Sequence, residues 1–145
     1  MANYLLDTNY LIHLSKNDDN PNKREILQEI KQILLDDNSR LVITPLISYE
    51  VLRGIGWKDD ETLYKIQGLL DSLEMLDIKI DVADLARDLY RFDVYQSAKN
   101  NIARNFEKRK FDIFHFATAK LNGLQMLSKD NDMLNIEKLY LEMNS

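Results

Sequence analysis

Cysteine is absent, which excludes a disulfide framework, a thiolate zinc site and a cysteine nucleophile. Histidine is nearly so. His13 and His115 are the only two, too few for a histidine-rich metal centre and a poor basis for a histidine-driven triad. With four glycines and two prolines, the chain holds no collagenous or low-complexity stretch and no linker that would divide it. The opening segment, MANYLLDTNYLIHL, lacks a basic leader and meets Asp7 after three apolar residues. It reads as neither a signal peptide nor a membrane span, and the cytoplasm is the expected location.

What remains is the composition of an ordinary globular protein, 45% apolar and 30% charged over 145 residues. A chain of this length makes one domain, expected here over residues 1–145, and buries roughly 68–70% of its unfolded surface without a staple. The net charge of -5, from 19 basic and 24 acidic residues, argues by itself against a nucleic-acid partner. Its distribution argues otherwise. Between residues 99 and 110 five bases, Lys99, Arg104, Lys108, Arg109 and Lys110, face one acid, Glu107. Taken alone such a run reads as a solvated helix face; beside a site for phosphate chemistry it reads as an RNA-binding surface.

Apolar periodicity alternates between two kinds of segment. Tyr4 to Leu6, Leu41 to Ile43 and Leu124 to Ser128 are short apolar runs of strand type, and Leu76, Ile78 and Ile80 alternate with polar residues as in a half-buried strand. Helical spacing recurs between them. Leu11, Ile12 and Leu14 form a first turn, Ile26, Ile30, Ile33 and Leu34 a helix capped by Asn22, and Leu63, Ile66, Leu69, Leu70 and Leu73 a further one. Thr44-Pro45 is a helix start, with a hydroxyl cap and a proline at the first helical position, and that helix frays near Gly54 and Gly56. Asp81 caps a long helix with Val82, Leu85, Ala86, Leu89 and Phe92 on one stripe. Asp112 opens a helix that is apolar almost all round and stops at Asn122-Gly123; the tail from Leu134 adds an edge strand or short helix. Strands alternating with helices imply an α/β fold with a parallel sheet covered on both faces, whose ligands sit beyond the carboxyl ends of the strands.

The acids fall where that rule directs attention. Asp7 directly follows the first strand, Asp130 follows the last one, Glu50 lies on the helix after the second, and Asp112 begins the buried helix. Each has an ordinary explanation taken singly, as a cap, a turn former or a solvated helix residue. Together they do not. Two carboxylates about 4 Å apart repel by roughly 4 kcal/mol at an effective dielectric near 20, so a cluster of four requires protons or cations. A hard divalent cation, Mg²⁺ or Mn²⁺, suits carboxylate and water ligands, and it can activate water and stabilise charge on a phosphoryl oxygen.

At these residues the sequence resembles the PIN-domain nucleases, and most closely the VapC-like toxins of type II bacterial toxin-antitoxin modules. LLDTN at residues 5–9 is similar to the opening strand and D-T-N of that family, and ISYEVLRGI at residues 47–55 to its S-x-x-x-x-E-L-x-x-G helix. DIFHFATAKLNGLQMLSKDNDM at residues 112–133 resembles its D-x-x-x-x-A-x-A helix with the strand and T-x-D-x-D-F that follow. The resemblance implies a three-layer α/β/α PIN-like fold with a central, mostly parallel sheet of four or five strands. It implies a metal-dependent endoribonuclease, often directed at tRNA, that forms homodimers and is silenced by a cognate antitoxin. Asp7, Glu50 and Asp112 would be direct or water-mediated ligands of Mg²⁺ or Mn²⁺ and Asp130 would complete the shell, all four catalytic, with Asn9 and Ser128 in support. Hydrolysis through a metal-bound hydroxide would leave a 5′-phosphate. Ser128 stands where threonine is commoner, Met133 where phenylalanine is, and Val51 displaces the usual leucine to Leu52. Residues 90–111 match no motif of the family, and Asp132 is an alternative to Asp130.

Three rivals carry their own signatures. A receiver-type Mg²⁺-binding signalling domain has an acidic pair near its first strand, where this chain has Thr8-Asn9 after Asp7, although Lys129 resembles its lysine. A dehalogenase-type phosphatase needs an aspartate where Asn9 stands. A catalytically inactive PIN fold acting as a binding module is disfavoured by the presence of all four acids. His115 and His13 read as packed or structural, and with no paired histidines the chain is not expected to form 2′,3′-cyclic phosphate ends.

Overall fold

The computed structural model of the protein describes residues 2–15, 21–128 and 131–145. In chain order the elements are β1 (Asn3–Leu6), α1 (Thr8–Ser15), α2 (Pro21–Leu35), β2 (Arg40–Ile43), α3 (Pro45–Arg53), α4 (Asp60–Asp71), β3 (Glu74–Met75), α5 (Ile80–Lys99), α6 (Phe106–Leu121), β4 (Gln125–Leu127) and α7 (Asp132–Met143). They divide into two compact units, Met1–Asp77 with Leu124–Lys129, and Ile78–Gly123 with Asp130–Ser145.

The first unit holds the sheet, in the order β3-β2-β1-β4, with every pairing parallel. Successive residues of a strand point to opposite faces, and both Leu5 and Leu6 are fully buried, so the sheet is covered on both sides as the α/β expectation requires. Ile26 and Ile30 of α2, Ile47 and Val51 of α3, and Ile66 and Leu70 of α4 supply the helical share of this core. Thr44 and Pro45 do what their chemistry suggests. The Thr44 hydroxyl accepts from the Ile47 amide at 3.2 Å and the proline opens α3 where no amide is needed. Pro21 plays the same part in α2, so that helix starts one residue before Asn22; residues 17–20 of the preceding polar stretch lie outside the described residues.

The alternation at Leu76 to Ile80 does not make a strand. β3 is the two-residue segment before it, paired Val42 with Glu74 and Ile43 with Met75, and Ile80 is already the exposed first residue of α5. The second unit is three helices, each in contact with the other two. The buried stripe of α5 is Val82, Ala86, Leu89, Asp93 and Ser97, and it runs past Phe92 into two polar residues. A Schellman motif closes α5: the Ile102 amide donates to Ser97 O at 2.8 Å, the Asn101 amide to Ala98 O at 3.4 Å, and Asn101 takes the left-handed conformation with φ 54°. Asn105 caps α6 by accepting from the Glu107 amide at 3.1 Å. That helix therefore begins at Phe106, a turn and a half before Asp112, and ends at Asn122 with Gly123 at φ 64°. The C-terminal tail is a full helix, α7. Among the described residues no helix is long and apolar enough to cross a membrane.

One buried contact in the first unit sets a pH limit. Tyr10 of α1 is almost fully buried and its hydroxyl donates to the Glu29 carboxylate of α2. Burial first, then that hydrogen bond and the charges of Glu29 and Glu25, raise the phenol well above the usual tyrosine range. The folded protein keeps this proton where the unfolded chain begins to lose it, near pH 10, so the contribution is intact below that pH and declines as the medium becomes more alkaline. In a phenolate absorbance titration, one of the seven tyrosines is expected to ionise only with unfolding. Tyr10→Phe should remove that phase; joint ionisation of all seven in an intact fold would contradict the assignment.

Candidate active site

Sheet order decides where the first unit presents its chemistry. From β1 the chain steps to β2 and β3 on one side, and returns with β4 on the other side of β1. The carboxyl ends of β1 and β4 thus flank the topological switch point, the crevice where parallel α/β sheets hold ligands. The register aligns Leu6 with Leu127, so the next residues, Asp7 and Ser128, emerge side by side. The Asp7 amide donates to Leu127 O at 3.0 Å, and the Ser128 hydroxyl donates to Asp7 Oδ2 at 2.8 Å. Asp7 is 1% exposed, a carboxylate removed from bulk water. Glu50, on the second turn of α3, is half-buried and accepts from the Thr8 hydroxyl at 3.0 Å. Thr8 was not singled out in the sequence, although it is the middle residue of the D-T-N segment. Asn9, half-buried, stands next to it on α1.

In the second unit Asp112 lies in the interior of α6 and is 6% exposed. It does not open the helix, because Asn105 does. The expectation that Asp112 sits at a helix start is corrected, and with it falls its ordinary explanation as a cap. Asp112 lines a cleft of about 240 Å³ with Ala103, Arg104, Asn105, Lys108, Arg109 and Asp132. Much of the basic run is thereby placed at one opening. Lys108 pairs with Asp132 at 2.9 Å, Lys110 with Glu107 at 3.0 Å, and Arg109 with Asp93, while Lys99 ends α5. His115, one turn after Asp112, is 1% exposed, which accords with a packed histidine.

The structure thus brings together Asp7 with Ser128 and Glu50 with Thr8 in one unit, and Asp112 with Arg104, Lys108 and Arg109 in the other. Asp130 and Lys129 lie outside the described residues. Among the described residues no group of three or more histidine, aspartate or glutamate side chains is gathered closely enough to hold an ion. The donor chemistry is nonetheless of one kind, since Asp7, Glu50, Thr8, Asp112 and Ser128 offer only hard oxygens. Donors of this kind suit Mg²⁺ or Mn²⁺ better than thiolate-seeking metals. The order of strands removes the receiver-type reading, in which β1 lies between β2 and β3; here β2 lies between β1 and β3.

Comparison with known proteins agrees with this architecture. The profile of the PIN domain family matches residues 4–139, and the chain belongs to that family. Among solved structures, VapBC2 from Rickettsia felis, bound to a DNA fragment from its promoter, is similar at 14% identity over 92% of this chain and 91% of that one, with a TM-score of 0.67. VapBC-1 from nontypeable Haemophilus influenzae is similar at 18% identity over 94% and 92%, with a TM-score of 0.65. VapC20 of Mycobacterium tuberculosis, a toxin that cleaves the sarcin-ricin loop, is similar at 12% identity over 91% and 93%, with a TM-score of 0.60. At these identities the likeness is one of fold. No curated protein sequence matches the chain.

Proposed function

We propose that residues 1–145 act as one PIN domain, a metal-dependent endoribonuclease that is the toxin of a toxin-antitoxin pair. It works in the cytoplasm as a homodimer, on structured RNA such as tRNA, and is held inactive by a cognate antitoxin. The observation that carries the reading is Asp112: a buried carboxylate in the interior of a helix that Asn105 caps, at a cleft that also carries Arg104, Lys108 and Arg109. A charge held out of water at such a position is costly, and functional sites are where that cost recurs. Family membership and the toxin-antitoxin complexes among the similar structures support the same reading.

Asp7, Glu50, Asp112 and Asp130 are the proposed ligands of Mg²⁺ or Mn²⁺, as the family resemblance assigns them. Bound there, such an ion would lower the pKa of an attacking water and stabilise charge on the phosphoryl oxygens. The side chains around the acids have separable tasks. Ser128 fixes one oxygen of Asp7, and Thr8 fixes one oxygen of Glu50. Asn9 supports the same strand end. Arg104, Lys108 and Arg109 neutralise backbone phosphates, with Lys99 and Lys110 extending the basic surface. Lys108 engages Asp132, which stands as the alternative to Asp130 for the fourth position.

Purified protein incubated with total tRNA is expected to cleave it with Mn²⁺ or Mg²⁺ and to stop when EDTA is added, leaving 5′-phosphate ends. Chelator-insensitive cleavage, or 2′,3′-cyclic phosphate ends, would defeat the mechanism.

A further inference from the structure

The buried stripe of α5 contains a charged residue that apolar patterning would not place there. Asp93 follows Leu89 by a helical turn and is 1% exposed. Its carboxylate is gripped by Arg109 through two donors, Nε to Oδ2 and Nη2 to Oδ1, the latter at 3.3 Å. Arg104 approaches the same group, with Nε 3.9 Å from Asp93 Oδ1 and 3.4 Å from the Ser97 hydroxyl. Stability alone does not account for this arrangement, because well-packed apolar residues in place of a buried ion pair are often neutral or stabilising. What the pair does accomplish is geometric. Arg109 precedes Asp112 by one turn of α6, and both line the cleft that Arg104 and Lys108 share. The two arginines are held from behind, the Arg109 side chain being 11% exposed and that of Arg104 32%.

The loop that carries Arg104 is constrained at both ends. The Schellman motif at Asn101 closes one helix, the Asn105 cap opens the next, and only residues 102–104 lie between. Asp93 occupies the Nε and Nη2 edge of the Arg109 fork. Among the described residues Nη1 of Arg109 makes no hydrogen bond, and a planar fork with one edge fixed is suited to binding a phosphate with the other.

We propose that Asp93 is a positioning residue, which locks Arg109 and Arg104 into a phosphate subsite for the RNA backbone beside Asp112. The inference rests on the endoribonuclease reading. It makes a prediction of opposite sign to simple charge counting: Asp93→Asn removes a negative charge beside the cleft, which by charge alone should tighten RNA binding, yet loss of the lock should weaken it.

The probe is a single-stranded RNA oligonucleotide with 2′-O-methyl riboses, which resists cleavage, titrated by fluorescence anisotropy with thermal unfolding followed in parallel. Asp93→Asn is expected to fold and to bind this RNA about tenfold more weakly, and Arg109→Lys, which keeps the charge and loses the fork, to match it. The double variant should be no weaker than either single one, because both remove the same lock. A folded Asp93→Asn that binds as well as the unaltered protein, or better, overturns the proposal. If Asp93→Asn does not fold, Arg109→Lys decides: weakened binding supports the lock and unchanged binding refutes it. Failure of the unaltered protein to bind RNA at all would instead sink the endoribonuclease reading, and this inference with it.

Discussion

Asp112→Asn is expected to reduce RNA cleavage by about 10²–10³-fold, the scale seen when a single charge-stabilising group is removed from an active site, with the protein still folded. The fold should tolerate the change because asparagine keeps the shape of the side chain. A carboxylate that is 6% exposed in the interior of α6 is penalised in its charged form by desolvation, and asparagine keeps its shape without that penalty. No cap is lost, because the start of α6 is held by Asn105. A purely structural aspartate would behave in the reverse way, with stability falling and activity merely following it. Single-turnover cleavage of tRNA beside thermal unfolding by circular dichroism separates the two. An Asp112→Asn protein that cleaves like the parent would remove Asp112 from the mechanism.

The sequence was readable where local chemistry and tertiary context agree. Tyr4 to Leu6, Leu41 to Ile43 and Gln125 to Leu127 are strands because a parallel sheet buried on both faces tolerates continuous apolar runs, and Thr44-Pro45 carries its own start signal. The same logic placed Asp7 and Ser128 just beyond adjacent strands. It misled where a short pattern had two readings. Leu76, Ile78 and Ile80 alternate over only five residues, and the helical stripe starting at Val82 claims Ile80 for α5. Asp112 looked like a helix start because the apolar run begins directly after it, yet Lys108, Arg109 and Lys110 already lie in the first turn and a half of α6, which Asn105 caps. Asp93 was invisible for a related reason. Its spacing from Leu89 puts it on the buried stripe, but an acid there reads as the point where the apolar stripe ends, and its charge partners Arg109 and Arg104, 16 and 11 positions later, come into view only when folded onto it.

Leu6→Ala should be the most damaging substitution in the sheet, lowering stability by about 2–5 kcal/mol and the unfolding temperature by roughly 10 °C. Leu6 is fully buried in the central strand, aligned with Leu127, and truncating it opens a cavity that flanking strands cannot fill. Leu6→Met, which conserves volume, should cost less than about 1.5 kcal/mol. The consequence extends beyond stability because Asp7 and Ser128 are the next residue of each strand and meet at 2.8 Å. A shift on the order of 1 Å at such a pair can cost about 10²-fold in rate. Cleavage by Leu6→Ala, measured well below its unfolding temperature, is therefore expected to fall further than the loss of folded protein explains. Activity that simply tracks the folded fraction would mean that the switch-point register does not set the geometry of the acid at its end.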